Sequence, residues 1–161
     1  MPSVFLSPSL QEYNPYVNGG NEEYYMNLIA DEMVPILTSS GIEVGRNSPE
    51  QTLSQAIAQS NAGNYNLHLA IHSNAAPPSN AGNVKGADIY YSAASSQGTR
   101  AATIFANNYK LIYPYPELVK TIPTTSLAEI VRTKAPAILI EVGYHDNPEA
   151  VSYTHLRAHE T

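Results

Sequence analysis

The sequence predicts a single α/β domain, a twisted and mainly parallel sheet with helices on both faces. Short apolar runs of strand length alternate along the chain with segments whose apolar residues recur at helical spacing, the pattern of a covered parallel sheet. At 161 residues the chain is long enough for one ordinary core and too short for two. Its 43% hydrophobic and 14% charged residues are those of a folded globular protein, and no internal repeat or low-complexity linker divides it.

The elements follow in order. Ser3 to Leu6 is an apolar run stopped by Ser7-Pro8 and reads as a buried strand. Leu10 to Gly20 is rich in Asn, Pro and Gly, hence loop. From Glu22, the residues Met26, Ile29, Ala30, Met33, Ile36 and Leu37 recur at helical spacing, with Asn21 to cap and Gly41 to stop. Pro35 is expected to kink or interrupt that helix. Ile42 to Gly45 reads as a second strand. Ser48-Pro49-Glu50-Gln51 has the form of a helix start, with Leu53, Ala56 and Ile57 facing inward. Tyr65 to His72 and Ala87 to Ser92 read as strands around a Pro/Asn/Gly loop at Ala75 to Gly86. Gln97 to Ile112 reads as a helix with Ala101, Ile104, Phe105 and Leu111 inside. Leu127 to Val131 and Ala137 to Val142 complete the strands.

Composition narrows the partners. A net charge of −6 argues against nucleic acid and against unassisted binding to an anionic membrane. With no cysteine, disulfides, thiol catalysis and Cys-ligated metal are excluded. No apolar run approaches the ~20 residues of a membrane span, and no signal peptide is visible at the start. The final stretch, Val151 to Thr161, breaks with the preceding pattern and carries His155 and His159 with no turn or cap leading in. Its residues can be encoded by the transposase end of a sequencing-library adapter. It is expected to be non-native read-through, with a C-terminal helix of the natural protein truncated.

In an open α/β sheet, sites gather beyond the carboxyl ends of the strands. Four polar clusters fall there: the loop after Leu6, the head of the first helix, His72-Ser73-Asn74, and Glu141. His72 can bind a metal through one ring nitrogen or simply bond at a strand end. His68 shares its face but lies four residues back, ~13 Å at strand rise, so the two cannot share an ion, and His68 is read as a core or surface residue. Glu22 suits a helix start through the dipole, as do Glu23 and Asp31, so position alone does not select it. Glu141 sits in the apolar run AILIEVGY, where an unpaired carboxylate is costly, and function is favoured there as a general base. His145 fits a substrate contact or a solvated turn equally well.

The strand ending in IHSNA, the segment NGGNEEYYMNLIADEM and the late APAILIEVGYHDNPEA resemble the zinc-dependent N-acetylmuramoyl-L-alanine amidases, from about Val4 to Ala150. The resemblance implies a mainly parallel sheet between helices and a single Zn2+ ion bound by two His and one Glu. It places a catalytic domain over residues 1–150, with His72 and Glu22 as zinc ligands and Glu141 as the catalytic glutamate. Asn74, His145 and Asn147 are carried over or read as substrate-side residues on the rim. The family's first ligand lies in Asp-Pro-Gly-His-Gly-Gly; this chain has Ser7-Pro8-Ser9-Leu10-Gln11-Glu12, a variant branch with SPSxQ. Gln11 is the expected third ligand through its amide oxygen, with Glu12 as runner-up.

The implied activity is hydrolysis of the amide joining the lactyl group of N-acetylmuramic acid to L-alanine in peptidoglycan. The expected agent is a monomer acting at the bacterial cell wall, by export or after lysis. A catalytically inactive peptidoglycan-binding or regulatory domain and a zinc carboxypeptidase on a related scaffold remain as alternatives.

Overall fold

Two apolar segments, LHLAIHSN and AILIEVGY, are buried along nearly their whole length and pair at the centre of the sheet. Branched and apolar side chains on both faces of a strand belong to a sheet covered on both sides. The structure, a computed structural model, describes residues 1–152. In chain order the elements are β1 (Ser3–Pro8), α1 (Glu22–Ser39), β2 (Glu43–Arg46), α2 (Leu53–Ala62), β3 (Leu67–Asn74), β4 (Ala87–Tyr91), α3 (Ser96–Tyr109), β5 (Val119–Pro123), α4 (Ala128–Val131) and β6 (Ala137–Tyr144). They build a six-stranded sheet in the order β2-β1-β3-β6-β4-β5. Every pairing is parallel except β4 with β6, which is antiparallel. Among the described residues no helix is long and apolar enough to cross a membrane.

The two faces differ. On one, Leu6, Leu69, Ile71, Ile89, Ile138 and Ile140 pack against Met26 and Ala30 of α1 and Ala102 and Ala106 of α3. This is the larger core. On the other, Ala70, Ala137 and Leu139 meet Ile130 of α4, and α2 reaches the sheet through Ser60, bonded to His68. That second face carries the polar side chains of the site, because His68 and His72 alternate with the apolar Leu69 and Ile71.

Several expectations meet a different outcome. Leu127 to Val131, read as a strand, is the helical turn α4. Its apolar residues Leu127, Ile130 and Val131 also satisfy helical spacing, and a run this short cannot distinguish the two periods. The fifth strand lies instead at Val119–Pro123, where β-branched Val119, Thr121 and Ile122 favour extension. The helix expected from Ser48 starts at Leu53. Thr52 caps it in a reciprocal capping box with Gln55, while Gln51 turns back to accept from the Ser48 amide. α1 runs through Pro35 without interruption as one helix. At the other end, Asn147 caps a helical turn over residues 148–152, with Pro148 at its first position. Val151, 2% exposed, joins the main core. His155 and His159 lie outside the described residues.

Ile71 is fully buried at the centre of this packing. Ile71→Ala is expected to cost about 3 kcal/mol through lost transfer energy and a residual cavity. In thermal denaturation the midpoint should fall by roughly 6–12 °C.

Candidate active site

The side chains that come together are placed by backbone features at the carboxyl edge of the sheet. β1 ends at Pro8, and the Ser9 amide continues the ladder by donating to Ile71 of β3 at 2.9 Å. The chain then loops out and returns through Gly19 and Gly20, whose positive φ angles of 100° and 78° make the reversal. The loop closes when the Glu22 amide donates to the Asn14 carbonyl at 2.9 Å. Asn21 caps α1 by accepting from the Tyr24 amide, so Glu22 begins the helix with its carboxylate turned inward, 1% exposed.

Glu22 Oε1 lies 3.0 Å from His72 Nδ1 and also accepts from the Ser73 amide at 3.3 Å. Its second oxygen accepts from Asn14 Nδ2 at 2.8 Å, and Asn14 in turn donates to Gln11 Oε1. Gln11 therefore stands one side chain away from Glu22. Glu12 is exposed and raises the carboxyl of Glu23, after burial, together with Glu50.

The far side of His72 is equally occupied. Nε2 lies 3.0 Å from Glu129 Oε2, and Glu129 Oε1 lies 3.0 Å from His68 Nε2 and accepts from the Ser7 hydroxyl. His68 is fully buried and its Nδ1 meets Ser60 at 2.9 Å. Burial pushes the Glu129 carboxyl up, but the contacts from His68 and His72 outweigh it and bring it down to about 2. Burial alone pushes His72 down; Glu129 and Glu22 reverse that and raise it to about 10. Glu22 is likewise lifted by burial and brought below the carboxylate range by His72 and Asn14. Two carboxylates, one at each ring nitrogen, thus favour the protonated form of His72.

Glu141 sits beside His72 in the β3–β6 register and beside Asp88 in the β4–β6 register. Its Oε2 is buried with no hydrogen-bond partner among the described residues. Burial raises it to about 7, with Glu22 and Asp88 adding and the His72 charge opposing. A buried carboxylate free on one oxygen, near neutrality, is able both to take and to return a proton.

The rim residues are fastened to one another. His145, 6% exposed, bonds Ser73 through Nδ1 at 3.0 Å and stacks on Tyr16 at 5.4 Å between centroids. Burial draws its pKa below the usual value, only partly offset by Glu22 and Asp146. Asn147 is buried, donating to the Val84 carbonyl and accepting from the Glu149 amide. Asn74 turns its oxygen to the Ala75 amide. Asp146 accepts from the amides of Ala76 and Gly82. The loop from Ala75 to Gly86 and the YHDN turn therefore form one wall. A groove of about 450 Å³ along Glu23, Asn27, Asp31, Arg46 and Asn47 is lined by none of Glu22, His72, Glu129 and Glu141.

The N-acetylmuramoyl-L-alanine amidase family model matches residues 9–159. The chain belongs to this amidase family. N-acetylmuramoyl-L-alanine amidase AmiC2 of Nostoc punctiforme superposes with a TM-score of 0.81 at 18% identity, over 98% of this chain and 91% of that one. The catalytic domain of CwlV, an N-acetylmuramoyl-L-alanine amidase from Bacillus (Paenibacillus) polymyxa var. colistinus, gives 0.76 at 19% identity, over 99% and 93%. The catalytic domain of the CD27L endolysin targeting Clostridia difficile gives 0.77 at 20% identity, over 99% and 91%. No curated protein sequence matches. The chain is accordingly a peptidoglycan amidase, a hydrolase with the fold of these catalytic domains.

Sequence reasoning singled out Glu22, His72, Gln11 and Glu141, gave Ser7 and Ser73 no role of their own, and passed over Glu129 and Asn14. Glu129 carried a readable signal, an acid inside the apolar run LAEIV, the same signal that marked Glu141.

The raised Glu141 pKa fixes a sign. A carboxyl lifted from its ordinary 4.5 to about 7 gives stability that is full below 4.5 and lost as pH rises through 7. Glu141→Gln lacks that loss. In urea unfolding of metal-free protein, its advantage over the wild type should widen by on the order of 2 kcal/mol between pH 5 and 8.5.

Proposed function

We propose that this amidase cleaves the lactyl–L-alanine amide with Glu141 as proton carrier and with one zinc ion bound by Glu22 and His72. The convergence of three groups supports the reading: Glu22 Oε1 and His72 Nδ1 at 3.0 Å, and the partnerless Oε2 of Glu141 on the adjoining strand position. Two ligand atoms each ~2.0–2.1 Å from a tetrahedral zinc lie about 3.3 Å apart, so the pair fits a single ion with a small adjustment. Among the described residues no three His, Cys, Asp or Glu form a ready metal cluster. The remaining donor is the Gln11 amide oxygen, one side chain away through Asn14, or water. Bound zinc supplies Lewis acidity, polarising a carbonyl and acidifying water.

The protein's own groups then have separable tasks. Glu22 and Glu129 hold His72 from its two sides, so that Nδ1 faces the reaction side. Glu141 accepts a proton from the attacking water on its free oxygen and passes it to the alanine nitrogen as the carbon–nitrogen bond breaks. The wall formed by the Ala75 to Gly86 loop and the YHDN turn borders the sugar–peptide junction. In this reading the protein is a monomer that acts at the cell wall.

A second reading, a binding domain without turnover, is favoured by the incomplete metal cluster. The zinc carboxypeptidase reading is separated by product, a single terminal amino acid in place of whole stem peptides. Glu141→Gln should retain zinc and fold while lowering release of alanine amino termini from sacculi by at least ~10³-fold; unchanged release would refute the proton-carrier role. To serve as a zinc ligand His72 would have to give up its Nδ1 proton, and its pKa is raised to about 10. Apparent zinc affinity, measured by chelator competition, should therefore rise about tenfold per pH unit between pH 7 and 9. A flat profile would place the ion elsewhere.

A further inference from the structure

We propose that Glu129 is a positioning residue that fixes the tautomer of His72, keeping its proton on Nε2 and presenting Nδ1 beside Glu22 as the ligand atom. The inference rests on the reading of His72 as a zinc ligand.

An ionised carboxylate only accepts hydrogen bonds, so each partner of Glu129 must be a donor. Oε2 takes the Nε2 proton of His72 at 3.0 Å, and Oε1 takes the Nε2 proton of His68 at 3.0 Å together with the Ser7 hydroxyl. His68 and His72 lie on one face of β3, four residues and ~13 Å apart along the backbone, and their side chains converge on Glu129. One carboxylate spans them, with an oxygen for each. The carboxylate is 4% exposed and is anchored from β1 and β3 while Ile130, the next residue of α4, packs into the second core. It cannot rotate away without taking the partner from the Nε2 atom of each imidazole.

Behind it the chain continues: Ser60 meets His68 Nδ1 at 2.9 Å, and Asn47 Nδ2 approaches Ser7 Oγ at 3.4 Å. Glu22 occupies the opposite ring nitrogen, so Glu129 and Glu22 cannot converge on the same ion while His72 keeps this orientation. Glu129 therefore acts behind the metal-binding edge, where a carboxylate bonded to a ligand histidine sets its orientation and basicity.

The test begins with the wild-type protein. Long-range ¹H–¹⁵N spectra of the zinc-loaded form should show His72 protonated at Nε2 and unprotonated at Nδ1. A proton on Nδ1 with the metal on Nε2 overturns the proposal, and this arm requires no variant. In Glu129→Gln the amide keeps the shape but can accept from only one of the two histidines. Its zinc dissociation constant, measured by competition with a chelating indicator, should rise 10–100-fold and the His72 tautomer signal should change.

His68→Gln, which removes a partner of Glu129 without touching His72, should weaken zinc a few-fold. Zinc binding within twofold of wild type in Glu129→Gln, with the tautomer unchanged, overturns the proposal and leaves Glu129 as an anchor of α4 alone. A wild-type protein that takes up no zinc overturns the metal reading itself and the inference with it. The two failures are distinct because only the second shows in the unaltered chain.

Discussion

An imidazole buried between two carboxylates organises this molecule. His72 is reached by Glu22 on one nitrogen and by Glu129 on the other, both at 3.0 Å. Charged groups this far from water are tolerable only when each is paired and its remaining hydrogen-bonding capacity satisfied. The surrounding structure meets that requirement. Ser7 and His68 complete Glu129, while Asn14 and the Ser73 amide complete Glu22. These partners come from β1, β3 and the loop before α1. The arrangement therefore depends on the central register of the sheet and on the closure of the loop after β1.

The fold was largely legible in the sequence, because strand and helix differ in apolar period and the long segments show it. Met26 and Ala30 face the core, and Asn21 caps α1 at the residue that composition pointed to. The reading failed where the period had no room to declare itself. LAEIV is too short to separate a strand from a helical turn, and Val119–Pro123 is a modest edge strand with exposed Lys120 and Thr121. Thr52 displaced Ser48 as a cap because both residues head plausible helix starts a few positions apart, and only the packed structure chooses.

The candidate site was legible in part, and for a definable reason. Glu141 was visible because an acid within an apolar run is expensive unless it has a task. Glu129 sits in a comparable run, but once that run was taken for a strand its face and neighbours could not be inferred. His68 was set aside as a co-ligand of His72 on backbone spacing along the strand. What distance along a strand cannot show is a third residue, 61 positions from His68 in sequence, that bonds both. Gln11 illustrates the converse: sequence placed it near Glu22 and His72, and the intervening Asn14 emerges only from the loop's return path.

The antiparallel pairing of β4 with β6 has a consequence for how tolerant the chemistry is of change. Asp88 stands beside Glu141 because of that register, with Ala87 and Ile89, both buried in the opposite core, on either side of it in sequence. A slip of one residue would turn Asp88 to the other face and remove a negative neighbour from Glu141. Strand alignment therefore adds to the proton affinity that burial gives Glu141. Insertions in the loop before β4, remote in sequence from Glu141, would change the charge that faces this carboxylate without altering the acid itself.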